Sequence, residues 1–344
     1  MKSVTTFGEV MLRISPENKG ERLTQSNTFK IEPGGSESNV SIAIKNLGIP
    51  TSFVTKLPDN QLSEKAIQFL QQFNVDTTKI VKQGKKLGIY WTENGIGPRN
   101  SNVIYDRENT SFSEVEVSDF NWKEIFKNSG WFHFSGISAS ISKNVYTVLL
   151  DAIHNIDIPY SIDLNYRSKL WKWLKKDTSL VKDVMTNLCM GATLIAGNES
   201  DFQNIFDFHQ TSNSEDTLFD EIAQKCFDRF PKLKYISISN RIAISASSNT
   251  WNGFLFVRND KQFKYTGLEY KLEPIEDRVG TGDSFVSGII FGLINKSNYS
   301  YQEIINIATS LSALNHTTMG DASRFSLDDV LNVIKNKGTG RILR

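Results

Sequence analysis

The 344-residue chain carries 39 Lys plus Arg against 38 Asp plus Glu, a formal net charge of +1, so it has neither the basic field of a nucleic-acid binder nor an acidic tail. With 39% hydrophobic residues, among them 22 Phe, 10 Tyr and 6 Trp, it has apolar material for a large core, which argues against disorder. Two cysteines in helix-like surroundings, Cys189 and Cys226, argue against a disulfide framework or metal knuckle and fit a reducing, cytoplasmic compartment. The N-terminal MKSVTTFGEVMLRI has no signal-peptide core, and the longest apolar run, 285–294, is interrupted by Ser287, Gly288 and Gly292 and too short for a bilayer of about 30 Å.

In chain order, short β-rich runs alternate with amphipathic stretches, the pattern of an α/β fold whose mostly parallel sheet is covered by helices on both faces. Residues 4–14 read as a first strand, and Gly34-Gly35 opens a helix over 36–47 that buries Val40, Ile42, Ala43, Ile44 and Leu47 and ends at Gly48. A strand over 51–57 and a helix over 63–73 follow. The alternation then predicts strands at 131–135, 160–164, 193–196 and 235–239, with helices at 143–156, 180–190 and 216–230. Residues about 10–33 and 85–115 break the rhythm, because GIYWTENG and SNVIYDREN are strand-like without helical spacers; they read as a small antiparallel layer, a discontinuous lid. The last third predicts a hairpin over 242–257 and helices over 283–295, 301–315 and 326–335. No linker or repeat divides the sequence, so residues 1–344 read as a single domain.

The strongest local signal is Asp277-Arg278-Val279-Gly280-Thr281-Gly282-Asp283-Ser284-Phe285, followed at once by the helical pattern VSGIIFGLI. Two glycines just before a helix let successive N–H groups of Gly280, Thr281, Gly282 and Asp283 converge on one point, where the helix N-terminus adds its positive end. An Asp would repel a bound phosphate, but it suits a site where Asp283 takes a hydroxyl proton while the amides hold charge on a transferring phosphoryl group. The alternative is a helix-capping Asp after a glycine-rich loop. Gly34, Gly35 and Asn39 form a second glycine-led helix start, lacking both the P-loop and the dinucleotide spacing; it is either a cap or a place where backbone and the Asn39 amide meet sugar hydroxyls. His133, His154, His209 and His316 share no metal spacing, and Trp171 and Trp173 read as packing on the sheet.

The GG-x-x-x-N near the N-terminus and D-x-V-G-x-G-D-x-F near the C-terminus resemble, in order and spacing, the ribokinase-like carbohydrate kinase family. Gly8-Glu9, Tyr105-Asp106-Arg107, Asp163-Leu164-Asn165-Tyr166-Arg167, Asn198-Glu199 and Gly320-Asp321 extend the resemblance over nearly the whole chain, and GE-x-x-L-R, GGSESN, Y-D-R and D-x-N-x-R-x-x-L-W look most like its 2-keto-3-deoxygluconate kinases. The resemblance implies a three-layer α/β/α body with a small β lid, and transfer of the γ-phosphate of ATP to the 6-hydroxyl of 2-keto-3-deoxygluconate. It implies Asp283 as the base, Gly34, Gly35 and Asn39 on the sugar, and Tyr90, Tyr105, Arg107 and Arg167 on its acid end, a role for which cationic and hydroxyl-bearing side chains are suited. The nucleotide part, about 193–344, then includes Asn198, Ser239, Gly280, Gly282 and Asn315, with Asn198 and Asp201 reaching Mg²⁺ through water. Two departures stand out: Asp201 replaces a customary Glu, and Ser239-Asn240-Arg241 replaces Thr-x-Gly. The family further implies pairing through the lid into a homo-oligomer, no nucleic-acid or membrane partner, and in some relatives a monovalent cation such as K⁺ beside Asp277. A fructokinase or ribokinase of the same fold, or an inactive sugar-binding regulator, is the alternative reading.

Overall fold

A computed structural model describes residues 2–208, 215–336 and 338; His209 lies outside them. The chain runs β1 (Ser3–Phe7), β2 (Met11–Pro16), β3 (Phe29–Gly34), α1 (Ser36–Asn46), β4 (Thr51–Val54), β5 (Lys56–Leu57), α2 (Gln61–Gln72), β6 (Val81–Lys82), β7 (Ile89–Glu93), β8 (Asn102–Asp106), α3 (Trp122–Phe126), β9 (Ser129–Ser135), α4 (Gly136–Ile141) and α5 (Lys143–His154). It continues through β10 (Tyr160–Asp163), α6 (Thr178–Cys189), β11 (Leu194–Asn198), α7 (Glu199–Phe206), α8 (Glu215–Arg229), β12 (Tyr235–Ser245), β13 (Ser248–Val257), β14 (Lys264–Thr266), β15 (Tyr270–Leu272), α9 (Thr281–Ile294), α10 (Tyr301–Asn315) and α11 (Leu327–Lys335).

The main sheet has the order β14-β13-β12-β11-β10-β9-β1-β4, with β15 also on β13. It is parallel from β4 to β12 and antiparallel beyond. Strand alternation sends successive side chains to opposite faces, and the two faces meet different cores. Phe132, Phe134, Ile195, Ile236 and Phe256 pack with residues of α5, α6 and α8. Trp131, Leu194, Ala196 and Leu255 pack with α1, α9 and α10. The result is three layers.

A second sheet, β3-β2-β7-β8, is built from the two segments expected to form the lid. It is not wholly antiparallel, because β2 and β7 run parallel. Its register aligns Arg13, Tyr90 and Tyr105 in one row and Ile31, Ile14, Trp91 and Ile104 in the adjacent row, so the two rows face opposite sides. The first row faces the body; in the second, Ile31 and Ile104 are exposed.

Several sequence expectations are corrected. The strand expected over 4–14 is two strands in two sheets: the chain crosses at Gly8, against which the buried Glu37 side chain packs. The 51–57 strand divides into β4 and β5, β11 continues to Asn198, and the expected 242–257 hairpin is longer because β12 runs unbroken through Ser245. The short α4 and α7 and the three-residue β14 and β15 carry too little periodicity to stand out. For α7 a signal existed: Asn198 and Asp201 form a reciprocal capping box. Cys189 and Cys226 are buried free thiols, Trp171 is buried, and Trp173 stacks on Tyr146. No helix among the described residues is long and apolar enough to cross a membrane.

Candidate active site

The carboxyl ends of β10 and β11, the middle of β12, the start of α9 and the inner row of the small sheet enclose one cleft of about 1300 Å³. Carboxyl ends of parallel strands are where open α/β sheets leave such a crevice. Its floor is the turn into α9. Gly280 has φ +76°, and a Cβ there would lie 1.8 Å from the Asp321 carbonyl oxygen, so only glycine fits; a Cβ on Gly282 would meet nothing within 4 Å, which leaves the backbone open to the cleft. The α9 N-terminus therefore offers unobstructed amides to an anion.

Asp283 lies on the first turn of α9, buried. Its Oδ1 accepts from Ser36 Oγ at 2.7 Å and its Oδ2 from Asn39 Nδ2 at 2.8 Å, so the two glycine-led helix starts converge on one carboxylate. Burial pushes its pKa up to about 6, against those hydrogen bonds. A carboxylate so held is ionised at neutral pH yet basic enough to accept a proton. Asn39 Oδ1 is buried and without a partner, an acceptor available to a ligand hydroxyl.

On the small-sheet side, charges are paired. Arg107 donates from Nε and Nη2 to Glu9 Oε2 at 3.0 and 2.6 Å, while Thr110 donates to Glu9 Oε1. Arg13 binds Asp277 at 2.6 Å and Asp321 at 2.5 Å, and Tyr90 donates to Asp321. Tyr105 lines the cleft, its ring 6.3 Å from that of Tyr90. On the body side, Arg167, Arg241 and Arg278 line the cleft and make no ion pair among the described residues. Arg278 instead donates to Ser245 O and Asn249 Oδ1, and burial followed by repulsion from Arg241 holds its pKa below the usual arginine value.

Asp163 and Asp201 add an acidic wall. Asp163 is pushed well above the usual carboxylate range by burial and by the Asp201 and Asp283 carboxylates. Asp201 is raised by burial, although its Oδ1 accepts from Tyr166 N and its Oδ2 from Asn198 N. Of the residues singled out from sequence, Gly35, Asn39, Tyr90, Tyr105, Arg107, Arg167, Asn198, Asp201, Ser239, Gly280, Thr281, Gly282 and Asp283 all line this cleft. Gly34 sits just behind, against Tyr90 and Asp321. Asn315 does not reach it: the side chain is fully buried at the end of α10, both polar atoms without partners. Sequence reasoning missed Ser36, Arg13, Asp321, Asp163 and Arg241 as site residues, though all five lie within the quoted GGSESN, GE-x-x-L-R, Gly320-Asp321, Asp163-Leu164-Asn165-Tyr166-Arg167 and Ser239-Asn240-Arg241 segments.

The sequence matches the profile of the pfkB family carbohydrate kinases over residues 1–327. The chain belongs to that family. The crystal structure of 2-dehydro-3-deoxygluconokinase from Thermotoga maritima superposes with a TM-score of 0.91 at 32% identity, covering 97% of this chain and all of that one. A 2-dehydro-3-deoxygalactonokinase of Haloferax volcanii is 26% identical over 98% of both chains. A ribokinase-like structure from E. coli, solved with ATP and Mg²⁺, shares the fold at 15% identity, with a TM-score of 0.76 over 98% of this chain and all of that one.

A carbohydrate kinase of this family uses ATP, and the acidic wall fits a divalent cation held largely by phosphate oxygens. The Asp163 carboxylate is destabilised by burial and then by its carboxylate neighbours, a state a nearby cation relieves, and no cluster of three or more ligating side chains among the described residues would hold a metal alone. A monovalent cation beside Asp277 does not fit. Asp277 Oδ1 accepts from Arg278 N and Val279 N, and Oδ2 faces Gly320 N and the Arg13 guanidinium.

Proposed function

We propose that this carbohydrate kinase phosphorylates a 2-keto-3-deoxy sugar acid, 2-keto-3-deoxygluconate or its galactonate epimer, at the 6-hydroxyl. The observation that carries the reading is that one cleft holds both Asp283, at the open α9 N-terminus, and Arg167, which donates to the neighbouring Tyr166 carbonyl but makes no ion pair among the described residues. A sugar acid needs one base for its hydroxyl and one free cation for its carboxylate. The Thermotoga maritima and Haloferax volcanii relatives, whose names specify such acids, support it. Tyr105 and the remaining Nη1 of Arg107 would assist Arg167, and Asn39 would bind a sugar hydroxyl.

In the reaction the 6-hydroxyl oxygen attacks the γ-phosphorus of ATP, the bond from that phosphorus to the β,γ-bridging oxygen breaks to release ADP, and the hydroxyl proton passes to Asp283. The amides of Gly280, Thr281, Gly282 and Asp283 stabilise the negative charge spread over the transferring group. Asn198 and Asp201 would hold Mg²⁺ through water, and that ion would supply partial neutralisation of the charge. The small sheet would act as a lid, excluding water and limiting futile hydrolysis. Its outer row, with Ile31 and Ile104 exposed, fits a second copy of the chain, which supports a homo-oligomer formed through the lid, and the two buried free thiols fit a cytoplasmic location.

An ADP-release assay across sugar acids and neutral sugars tests the reading. A keto-deoxy acid should exceed fructose and ribose in kcat/KM by at least about 100-fold, consistent with one charged contact and its hydrogen bonds. Equal use of neutral sugars would reject the acid specificity, and no ADP with any sugar would favour a binding protein.

A further inference from the structure

Arg13 joins three separate parts of the fold. It stands on the inner row of β2, 3% exposed. Its Nη2 meets Asp277 Oδ2 at 2.6 Å, its Nη1 meets Asp321 Oδ1 at 2.5 Å, and its Nε donates to Thr92 Oγ1 at 3.0 Å. The carboxylate of Asp277 grips the anion loop 277–283, and the backbone of Asp321 lies behind it. Asp277 Oδ1 accepts the backbone N–H groups of Arg278 and Val279 at 2.8 and 3.1 Å, fixing the entry to the loop, and Oδ2 accepts from Gly320 N at 3.3 Å. The Asp321 carbonyl occupies the space a Gly280 side chain would need, so the 320–321 turn is the loop's backing.

Two buried carboxylates beside a loop that must receive a polyphosphate are a liability: they repel each other and the incoming anion, and the buried charge needs compensation. Arg13 provides it as part of the chain. Although burial alone would lower its pKa, the Asp321 and Asp277 carboxylates outweigh that and keep the guanidinium charged. The planar fork also reaches both carboxylates at once, which a spherical ion does not do with equal directionality.

We propose that Arg13 is a positioning residue, a built-in cation that holds the anion loop of this kinase through Asp277 and Asp321, so that nucleotide binding and turnover need no monovalent metal ion. The inference rests on the kinase reading above for its activity readout only. Wild-type ADP release and calorimetric affinity for a non-hydrolysable ATP analogue should each agree within about twofold among potassium, sodium and choline buffers. Arg13→Met should lower kcat about tenfold and raise KM for ATP, leaving KM for the sugar acid near wild type. Arg13→Lys should recover part of the loss, and millimolar guanidinium should raise the activity of Arg13→Ala.

Stimulation of the wild type several-fold by potassium over choline would overturn the proposal, as would Arg13→Met with unchanged kcat and ATP affinity. Equal rises in both KM values, in a variant with a lowered melting temperature, would reduce Arg13 to a structural role and also overturn it. If Arg13→Met fails to fold, the salt comparison on the wild type and the Arg13→Lys kinetics decide. If the wild type releases no ADP with any sugar, the substrate reading fails, while analogue binding in potassium against choline still decides the cation question.

Discussion

Arginines of the small sheet and arginines of the body face one cleft in opposite states. Arg13 and Arg107 are buried against Asp277, Asp321 and Glu9, whereas Arg167 and Arg241 are exposed and unpaired among the described residues. A charge already matched by a buried carboxylate belongs to the architecture, and removing it leaves an uncompensated partner. An unmatched charge in a cleft is available to a ligand, and here its neighbours repel it: although the end of Arg241 is open to solvent, partial desolvation by the surrounding cleft walls and then repulsion from Arg167 hold its pKa below the usual arginine value. The difference separates residues that build the site from residues that bind there, a distinction chemical type alone does not make.

Asp283 stands on the boundary and should give the largest effect. Asp283→Asn keeps hydrogen-bonding groups for Ser36 and Asn39 but removes the base, so kcat should fall about 10³-fold with both ligands still bound. Because the free enzyme's Asp283 titrates at about 6, log kcat/KM should decline as pH falls below that value and level off above it. Near-normal kcat in the variant would remove the base role.

The paired arginine should then break as structure. Arg107→Gln leaves Glu9 buried without its cation and should cost about 3 kcal/mol of stability, read by denaturant unfolding. A variant of unchanged stability but raised sugar-acid KM would show that the contribution of Arg107 lies in its Nη1 contact with the ligand rather than in the Glu9 pair. Glu37 sharpens the same contrast from the other direction, since it is a buried carboxylate with no arginine: Ser135 N, Ser135 Oγ and Ser138 Oγ all donate to its Oε1, and Oε2 has no partner. Burial raises its pKa to about 7, against those hydrogen bonds. The raised value means the folded state holds the proton longer, so its stabilising contribution is complete below about 4.5 and disappears as pH rises to about 7, on the order of 3 kcal/mol. Glu37→Gln should flatten that decline; an unaltered pH dependence of unfolding would show that Glu37 ionises normally.

Arg167→Gln should raise KM for the acidic sugar about tenfold while leaving the unfolding free energy and the neutral-sugar KM nearly unchanged. Equal losses for acidic and neutral sugars would show that Arg167 does not distinguish them.

The two regions also differ in how far the sequence reveals them. The α9 loop and the α1 start are contiguous motifs whose glycines and polar residues act through local backbone, so Gly280, Asn39 and Asp283 stand out from residue order alone. The small-sheet segments are recognisable because strand-like runs without spacers do not fit a βαβ rhythm. The Arg13 network is not, because Asp277 and Asp321 lie hundreds of residues away and only the crossing of the chain at Gly8 brings β2 beside them. Asn315 misleads for the converse reason: position along α10 is legible, but the side of the helix covered by packing is not.

The smallest effect is expected at Arg241, in the Ser239-Asn240-Arg241 segment that departs from the Thr-x-Gly expected from the family resemblance. It occupies the last position of Ser239-Asn240-Arg241 on β12, opposite Trp251 of β13, and lines the cleft beside the anion loop. With its end open to solvent at the cleft rim, its charge is partly screened and should contribute less than about 1 kcal/mol to a bound phosphate. Arg241→Gln should therefore raise KM for ATP about threefold and weaken the dependence of that KM on ionic strength, with kcat and the sugar KM unchanged. A loss of kcat would mean that Arg241 acts on the transferring phosphoryl group and belongs with Asp283. An unchanged KM at all salt concentrations would mean that an unpaired cleft arginine need not meet a ligand, and the contrast with Arg13 and Arg107 would then rest on Arg167 alone.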